Sequence, residues 1–312
     1  MKDLSQQDTR KVAIIGCGNV GMTAAYAILM KGLVHELVLL GRDKSKIIGE
    51  QLDLEHGSPF LGSTKILATE DYTDLKNTDV VVLTAGAAQR PGDTRLDLTK
   101  RNITILEDII PKVIKYAPNS LILIVSNPVD ILTYRAYQLA GLPKGRVFGS
   151  GTTLDTARFR FHLSEFLNLN PRSIHAYILG EHGDSSFPAL FSATVGGQPL
   201  TTMKNYTPER AMKAYEKAKN AAYKIIASKG ATYYAIGVVV AHIIETIFAD
   251  TRKVLPLSIP LHGFNGLHGV AMSVPCILGR GGVTASLEIK LSAEERTKLY
   301  RSAEILKRAM PA

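Results

Sequence analysis

The chain has 312 residues, 46% of them hydrophobic, which is enough for one large or two ordinary domains with real cores and excludes global disorder. Its formal net charge of +9 comes from 37 basic against 28 acidic residues, and the charges interleave, as in "KAYEKAKNAAYKIIASKG" and "LSAEERTKLYRSAEILKR". Dispersed charge and a lack of tryptophan argue against a nucleic-acid surface, whereas a basic balance suits small anionic ligands.

The two cysteines, Cys17 and Cys276, are too few for a disulfide framework, and "MKDLSQQDTRKVAIIG" carries no long apolar leader. No uncharged apolar run reaches the roughly 20 residues of a membrane helix, since "YYAIGVVVAHII" is interrupted by His242 and soon by Glu245. The expectation is a protein of the reducing cytoplasm with no membrane contact.

Four short apolar runs, "KVAIIG", "ELVLLG", "DVVVLTAG" and "LILIVSNP", each precede a turn and a helical pattern. Runs of this kind suit strands buried on both faces, so residues 1–149 are predicted to form a doubly wound α/β domain on a parallel sheet. After about residue 150 the rhythm changes to a helix "TARFRFHLSEFLNL", a strand "IHAYILG" and helices near 208–229 and 292–310, so residues 150–312 are predicted to form an α+β domain. Thr207, Pro208 and Gly230 bound the first late helix, and Ser292 with Glu295 makes a capping box for the second.

The first run leads into "VAIIGCGNVG", where Gly16, Gly18 and Gly21 spell G-x-G-x-x-G between a strand and a helix. In that context Gly16 makes a tight turn, Gly18 admits a pyrophosphate and Gly21 allows close packing of helix on strand, as in a Rossmann-type dinucleotide site. About 20 residues on, such a site has an acid for the adenosine ribose. Here Gly41 and Arg42 hold that place and Asp43 comes two positions late. Either Arg42, Lys44 and Ser45 contact a ribose 2′-phosphate, so that NADP(H) is accepted beside NAD(H), or they are solvated loop charges.

Polar residues follow at the ends of later runs, where open α/β sheets bind ligands. Beyond Ala85 and Gly86 a loop holds Gln89, Arg90, Pro91 and Gly92 before Arg95, and its Pro-Gly pair fits a hinged lid. Asn127, held before Pro128, either orients a ligand or caps the next helix. In "GTTLDTARFRFHL" Asp155 and Arg158 share one helical face, while Arg158 and Arg160, about 200° apart, point in different directions. "ILGEHGDSS" places His182 just past a strand, between Glu181 and Gly183.

Together "IIGCGNVG", "DLEHG", "TAGAAQRPGDTRLDL", "VSNPVDIL", "GSGTTLDTARFR" and "GEHGDSSFP" resemble the L-lactate/malate dehydrogenase family over nearly the whole chain, and within it the bacterial L-lactate members. The resemblance implies a catalytic set of His182 as proton donor and acceptor, Asp155 as its partner and Arg95 as the lid residue that polarises the substrate carbonyl. It implies that Arg158 binds the substrate carboxylate and that Gln89, Asn127 and Thr232 line the site. For the cofactor it implies Gly16, Gly18, Val20, Gly21, Arg42, Gly86, Asn127, Ser150 and Ile236, and it implies no metal. Gln89 is neutral, which favours pyruvate over a dicarboxylate, although Arg90 beside it keeps malate dehydrogenase as the alternative. Arg160 and His175 coincide with positions that bind fructose 1,6-bisphosphate in allosteric members, and a homotetramer is implied. A non-catalytic dinucleotide sensor has no need of His182, Asp155, Arg158 and Arg95 together. A NAD-dependent glycosidase needs a metal cluster that the spacing of Cys, His and acids does not offer.

Overall fold

In the computed structural model, which describes residues 10–87 and 95–310, the early apolar runs become parallel strands. They are β1 (Lys11–Ile15), β2 (Glu36–Leu40), β3 (Lys65–Thr69), β4 (Val80–Leu83), β5 (Leu121–Ile124) and β6 (Val147–Gly149), lying side by side in the order β6-β5-β4-β1-β2-β3. Between them run helices α1 (Asn19–Met30), α2 (Lys44–His56), α3 (Arg95–Tyr116) and α4 (Val129–Ala140).

The alternation of a strand explains why such uniform apolar runs are needed. Val12, Ile14, Val80 and Val82 enter one core, whereas Ala13, Ile15, Val81 and Leu83 enter a second on the opposite face of the sheet. Neither face meets water. The strand order reverses where β1 pairs with β4, and a ligand crevice opens beyond the carboxyl ends at such a point.

The later half contributes α5 (Thr153–Leu167), a small antiparallel sheet of β7 (Ile174–Leu179), β8 (Phe187–Val195) and β9 (Gln198–Pro199), and helices α6 (Pro208–Lys229) and α7 (Tyr234–Phe248). A meander of β10 (Lys253–Phe264), β11 (Leu267–Gly279) and β12 (Gly282–Ser286) precedes the last helix, α8 (Ala293–Ala309). The caps read from the sequence form: the Thr207 side chain accepts from the Arg210 N–H, Gly230 closes α6 with φ +80°, and Ser292 and Glu295 bond reciprocally.

Residues 253–286 were not anticipated as strands. Pro256 and Pro260 interrupt the run with residues that cannot donate to a ladder, which hides its strand character. In the fold β10 joins β6 through Ser258 and Gly149, so a single sheet of nine strands among the described residues extends across the boundary expected near residue 150. Side chains of β10 therefore reach the helices of the first half. Among the described residues no helix is long and apolar enough to cross a membrane.

Gly21 sits where α1 crosses β1, and a β-carbon there would overlap the carbonyl oxygen of Gly16, whereas one at Gly18 meets nothing within 4 Å. Gly21→Ala is expected to cost about 1–3 kcal/mol and to lower the midpoint of thermal unfolding. Gly18→Ala should leave that midpoint unchanged while weakening dinucleotide binding; circular dichroism melts and a nucleotide titration measure the two effects.

Candidate active site

The glycine loop is shaped by close backbone contacts. Gly16 takes φ +108° with its α-carbon against the backbone of Ala85, a conformation and a space that no side chain fits. Gly18 caps α1 without a side-chain bond, leaving the N–H groups of the first turn, including those of Val20 and Gly21, at the positive end of the helix dipole. Such an end suits a pyrophosphate. Cys17 between them is buried, which pushes its thiol up to about 12, and it serves as a small packing residue.

Hydroxyls tie neighbouring strand ends to this loop. Thr84 Oγ1 donates to Gly16 O at 2.6 Å and Ser126 Oγ donates to Ala85 O at 2.6 Å. The amide of Asn102 on α3 accepts from Ala87 N and donates to Asn127 O, each at 2.7 Å. Gly86 lies against that same amide. Gly16, Gly86 and Asn127 are thus held along one edge of the sheet, and buried Ser150 follows β6, its N–H bonded to Ile124 O. On the other flank α7 lies on α1 so closely that a β-carbon at Gly237 would stand 2.6 Å from Thr23 Cγ2. That contact brings Ile236 beside α1, with half-buried Thr232 just before α7.

At the end of β2, Asp43 serves as the N-cap of α2, its carboxylate accepting from Lys46 N at 3.1 Å. Arg42 is exposed beside it, and Glu70 approaches the turn through Lys44 N. Arg95 is the first residue of α3, but its side chain lies outside the described structure, as does the whole of Gln89.

The most tightly bonded cluster centres on His182. Its Nδ1 donates to Asp155 Oδ2 at 2.6 Å, and Arg158 Nη1 donates to Asp155 Oδ1 at 3.3 Å. The i, i+3 spacing on α5 aligns the acid with the guanidinium, and the loop after β7 brings the imidazole to them. Arg160 points elsewhere: its Nε donates to Ala176 O at 2.9 Å and its guanidinium stands 5.1 Å from the centre of the Tyr177 ring, next to exposed His175 on β7.

Burial disfavours charge on His182, but the charge and hydrogen bond of Asp155 outweigh it and raise the imidazole to about 9. Burial would raise Asp155, yet His182 and Arg158 hold it below the usual carboxylate range. Arg158 Nη2 is buried with no hydrogen-bond partner among the described residues. A buried guanidinium edge left open calls for an anion, and a carboxylate fits its fork.

Sequence reasoning missed Asp130. Only 2% exposed, it accepts from the backbone N–H of His182 at 2.7 Å through Oδ2 and from Ser258 Oγ at 2.6 Å through Oδ1. An acid in the first turn after Asn127 and Pro128 reads as an ordinary helix-terminus charge, and its partner Ser258 lies on a strand the pattern conceals. The assembled groups offer a proton, an anchor for a small anion and a cradle for a dinucleotide.

A family model described as lactate/malate dehydrogenase, NAD binding domain, matches residues 10–149, and one described as lactate/malate dehydrogenase, alpha/beta C-terminal domain, matches residues 152–312. The L-lactate dehydrogenase of Thermoanaerobacter sp. (strain X514) is 46% identical over 302 residues, covering 95% of this chain and 97% of that protein. That of Synechococcus sp. (strain JA-3-3Ab) is 46% identical, covering 96% and 98%. Among solved structures, the minor L-lactate dehydrogenase of Enterococcus mundtii superposes with a TM-score of 0.94 at 39% identity, covering 97% of this chain and 98% of that one. A lactate dehydrogenase from a Medee basin deep-sea metagenome library gives 0.93 at 41% identity, covering 96% and 98%.

The folded chain holds the His182 proton more tightly than an unfolded one, whose imidazole titrates near 6.5. Above the carboxylate range, this pair's contribution to stability is therefore complete up to about 6.5 and disappears as pH rises through about 9. Urea unfolding followed across that window is expected to show a decline in stability that Asp155→Asn removes. An equal decline in both proteins contradicts the pairing.

Proposed function

Because the chain belongs to the lactate/malate dehydrogenase family, we propose that it interconverts pyruvate and L-lactate with NAD(H), using His182, Asp155, Arg158 and Arg95 for the chemistry. The observation that carries this reading is the raised, Asp155-bound imidazole beside a buried guanidinium edge with no partner among the described residues.

NAD(H), when bound, would supply or accept the hydride at the substrate's second carbon. His182 carries its Nδ1 proton toward Asp155, so Nε2 is the nitrogen that gives a proton to the carbonyl oxygen during reduction and recovers it during oxidation. Asp155 keeps that tautomer and stabilises the imidazolium. Arg158 takes the substrate carboxylate as a bidentate partner, which fixes the keto carbon relative to both hydride and proton. Arg95, at the start of α3, stabilises charge developing on the oxygen, and Asn127 and Thr232 line the site. Gly16, Gly18, Val20 and Gly21 would hold the pyrophosphate, with Arg42, Gly86, Ser150 and Ile236 along the rest of the nucleotide groove. Gln89 and Arg90 lie outside the described residues, and the neutral amide at 89 favours a monocarboxylate such as pyruvate.

Finer features of the reading have their own support. Acceptance of NADP(H) rests on exposed Arg42 and on Asp43 being engaged as a helix cap. Activation by fructose 1,6-bisphosphate rests on Arg160, which reaches the strand that carries His175. A homotetramer is supported by Phe60, Phe161, Phe191 and Tyr234, each more than half exposed, with Phe161 adjoining Arg160 on α5. Two buried free thiols suit a reducing cytoplasm.

Steady-state reduction of pyruvate and oxaloacetate is expected to favour pyruvate in kcat/KM, and a large preference for oxaloacetate overturns the substrate assignment. Arg158→Lys is expected to lower kcat/KM for pyruvate on the order of a hundredfold or more, because a point charge cannot reproduce the fork. The same assay with NADPH is expected to retain activity; a preference for NADH above about a thousandfold, some 4 kcal/mol, contradicts the reading of Arg42. Added fructose 1,6-bisphosphate is expected to lower the apparent KM for pyruvate, and Arg160→Ala to abolish that response.

A further inference from the structure

We propose that Asp130 is a positioning residue for His182, which it holds from behind through the backbone while adding a second negative charge to the imidazole's surroundings. The inference rests on the reading of His182 as the proton donor. Asp130 stands on the first turn of α4, yet both of its oxygens are bonded to the later half of the chain, one by His182 N at 2.7 Å and the other by Ser258 Oγ at 2.6 Å. At 2% exposure it is shielded from bulk solvent. A buried carboxylate in such a place is costly unless it is fully bonded, and this one is placed to constrain the loop at the residue that must meet substrate.

The same helix begins directly after Asn127, whose carbonyl is held by Asn102 of α3. Asp130 therefore links the edge that carries the cofactor loop to the residue that moves the proton. The charged and titratable groups around it are His182 and Glu181 from the loop after β7, with Asp155 and Arg158 of α5 on the far side of the imidazole. Ser258 of β10 supplies the remaining contact. Burial pushes Asp130 up to about 6, partly offset by the bonds from Ser258 and His182, and its charge helps keep His182 protonated.

The pH dependence of pyruvate reduction in full-length Asp130→Asn and Ser258→Ala proteins tests this. The limb at high pH reports loss of the His182 proton. In Asp130→Asn it is expected to move to lower pH by about half a unit or more, with kcat down about tenfold and KM for pyruvate changed less than about twofold, since Arg158 is untouched. Ser258→Ala keeps the charge and is expected to leave that limb in place. A limb unmoved in Asp130→Asn, or moved equally in both variants, overturns the proposal. If Asp130→Asn does not fold, Ser258→Ala decides alone. Removing one donor makes the carboxylate harder to ionise and should lift the low-pH limb above its position in the unmodified protein; an unmoved low-pH limb overturns the proposal. An unmodified chain with no high-pH limb overturns the reading of His182 and this inference with it.

Discussion

The hydrogen bond from His182 Nδ1 to Asp155 Oδ2 joins a helix to a loop 27 positions further along the chain, with both side chains mostly shielded from solvent. Its strength depends on limited competition from solvent, so the structure must bring a charged acid and a basic ring together in a largely buried place. Arg158 makes that tolerable by sharing the carboxylate, and in doing so it is itself drawn inward with one nitrogen unpaired among the described residues. The carboxylate that raises the imidazole's affinity for a proton thereby also prepares, through Arg158, a place for an anion.

Holding those side chains requires the continuous sheet. β10 runs beside β6, which allows Ser258 to reach Asp130 and fixes the start of α4, while Asn102 and Ser126 tie α3 and the end of β5 to the segment after β4, whose Thr84 bonds Gly16. The Gly16 loop and His182 come from different halves of the chain, and His182 follows β7 of the small antiparallel sheet, which a bridge between Gly180 and Ser273 of β11 joins to the large one. Their relative position is set by strand pairing, whose geometry tolerates little drift.

The role of each arginine follows from its direction. Arg158 and Arg160 are two residues apart, and a helix turns them nearly opposite one another, one into the cluster with His182 and one against β7 and the ring of Tyr177. One short helix thus presents Arg158 to the cluster around His182 and Arg160 to β7, with exposed Phe161 beside it.

Much of this was legible before any coordinates. Uniform Val, Ile and Leu runs can only be satisfied between two apolar layers, so a parallel sheet covered by helices follows from composition and spacing, and the Gly16, Gly18 and Gly21 turn follows from local sterics. Thr207, Gly230 and the Ser292–Glu295 box bound their helices for equally local reasons. The spacing of Asp155, Arg158 and Arg160 settles which pair shares a face, and the family resemblance adds which of them faces substrate. What the amino acids alone could not disclose is anything set by partners distant in the chain: that β10, punctuated by Pro256 and Pro260, continues the first sheet, and that Asp130 lies behind His182. Local periodicity encodes which face a residue takes, whereas the bond from an acid at position 130 to an amide at 182 and a hydroxyl at 258 exists only once long-range pairing has closed the sheet.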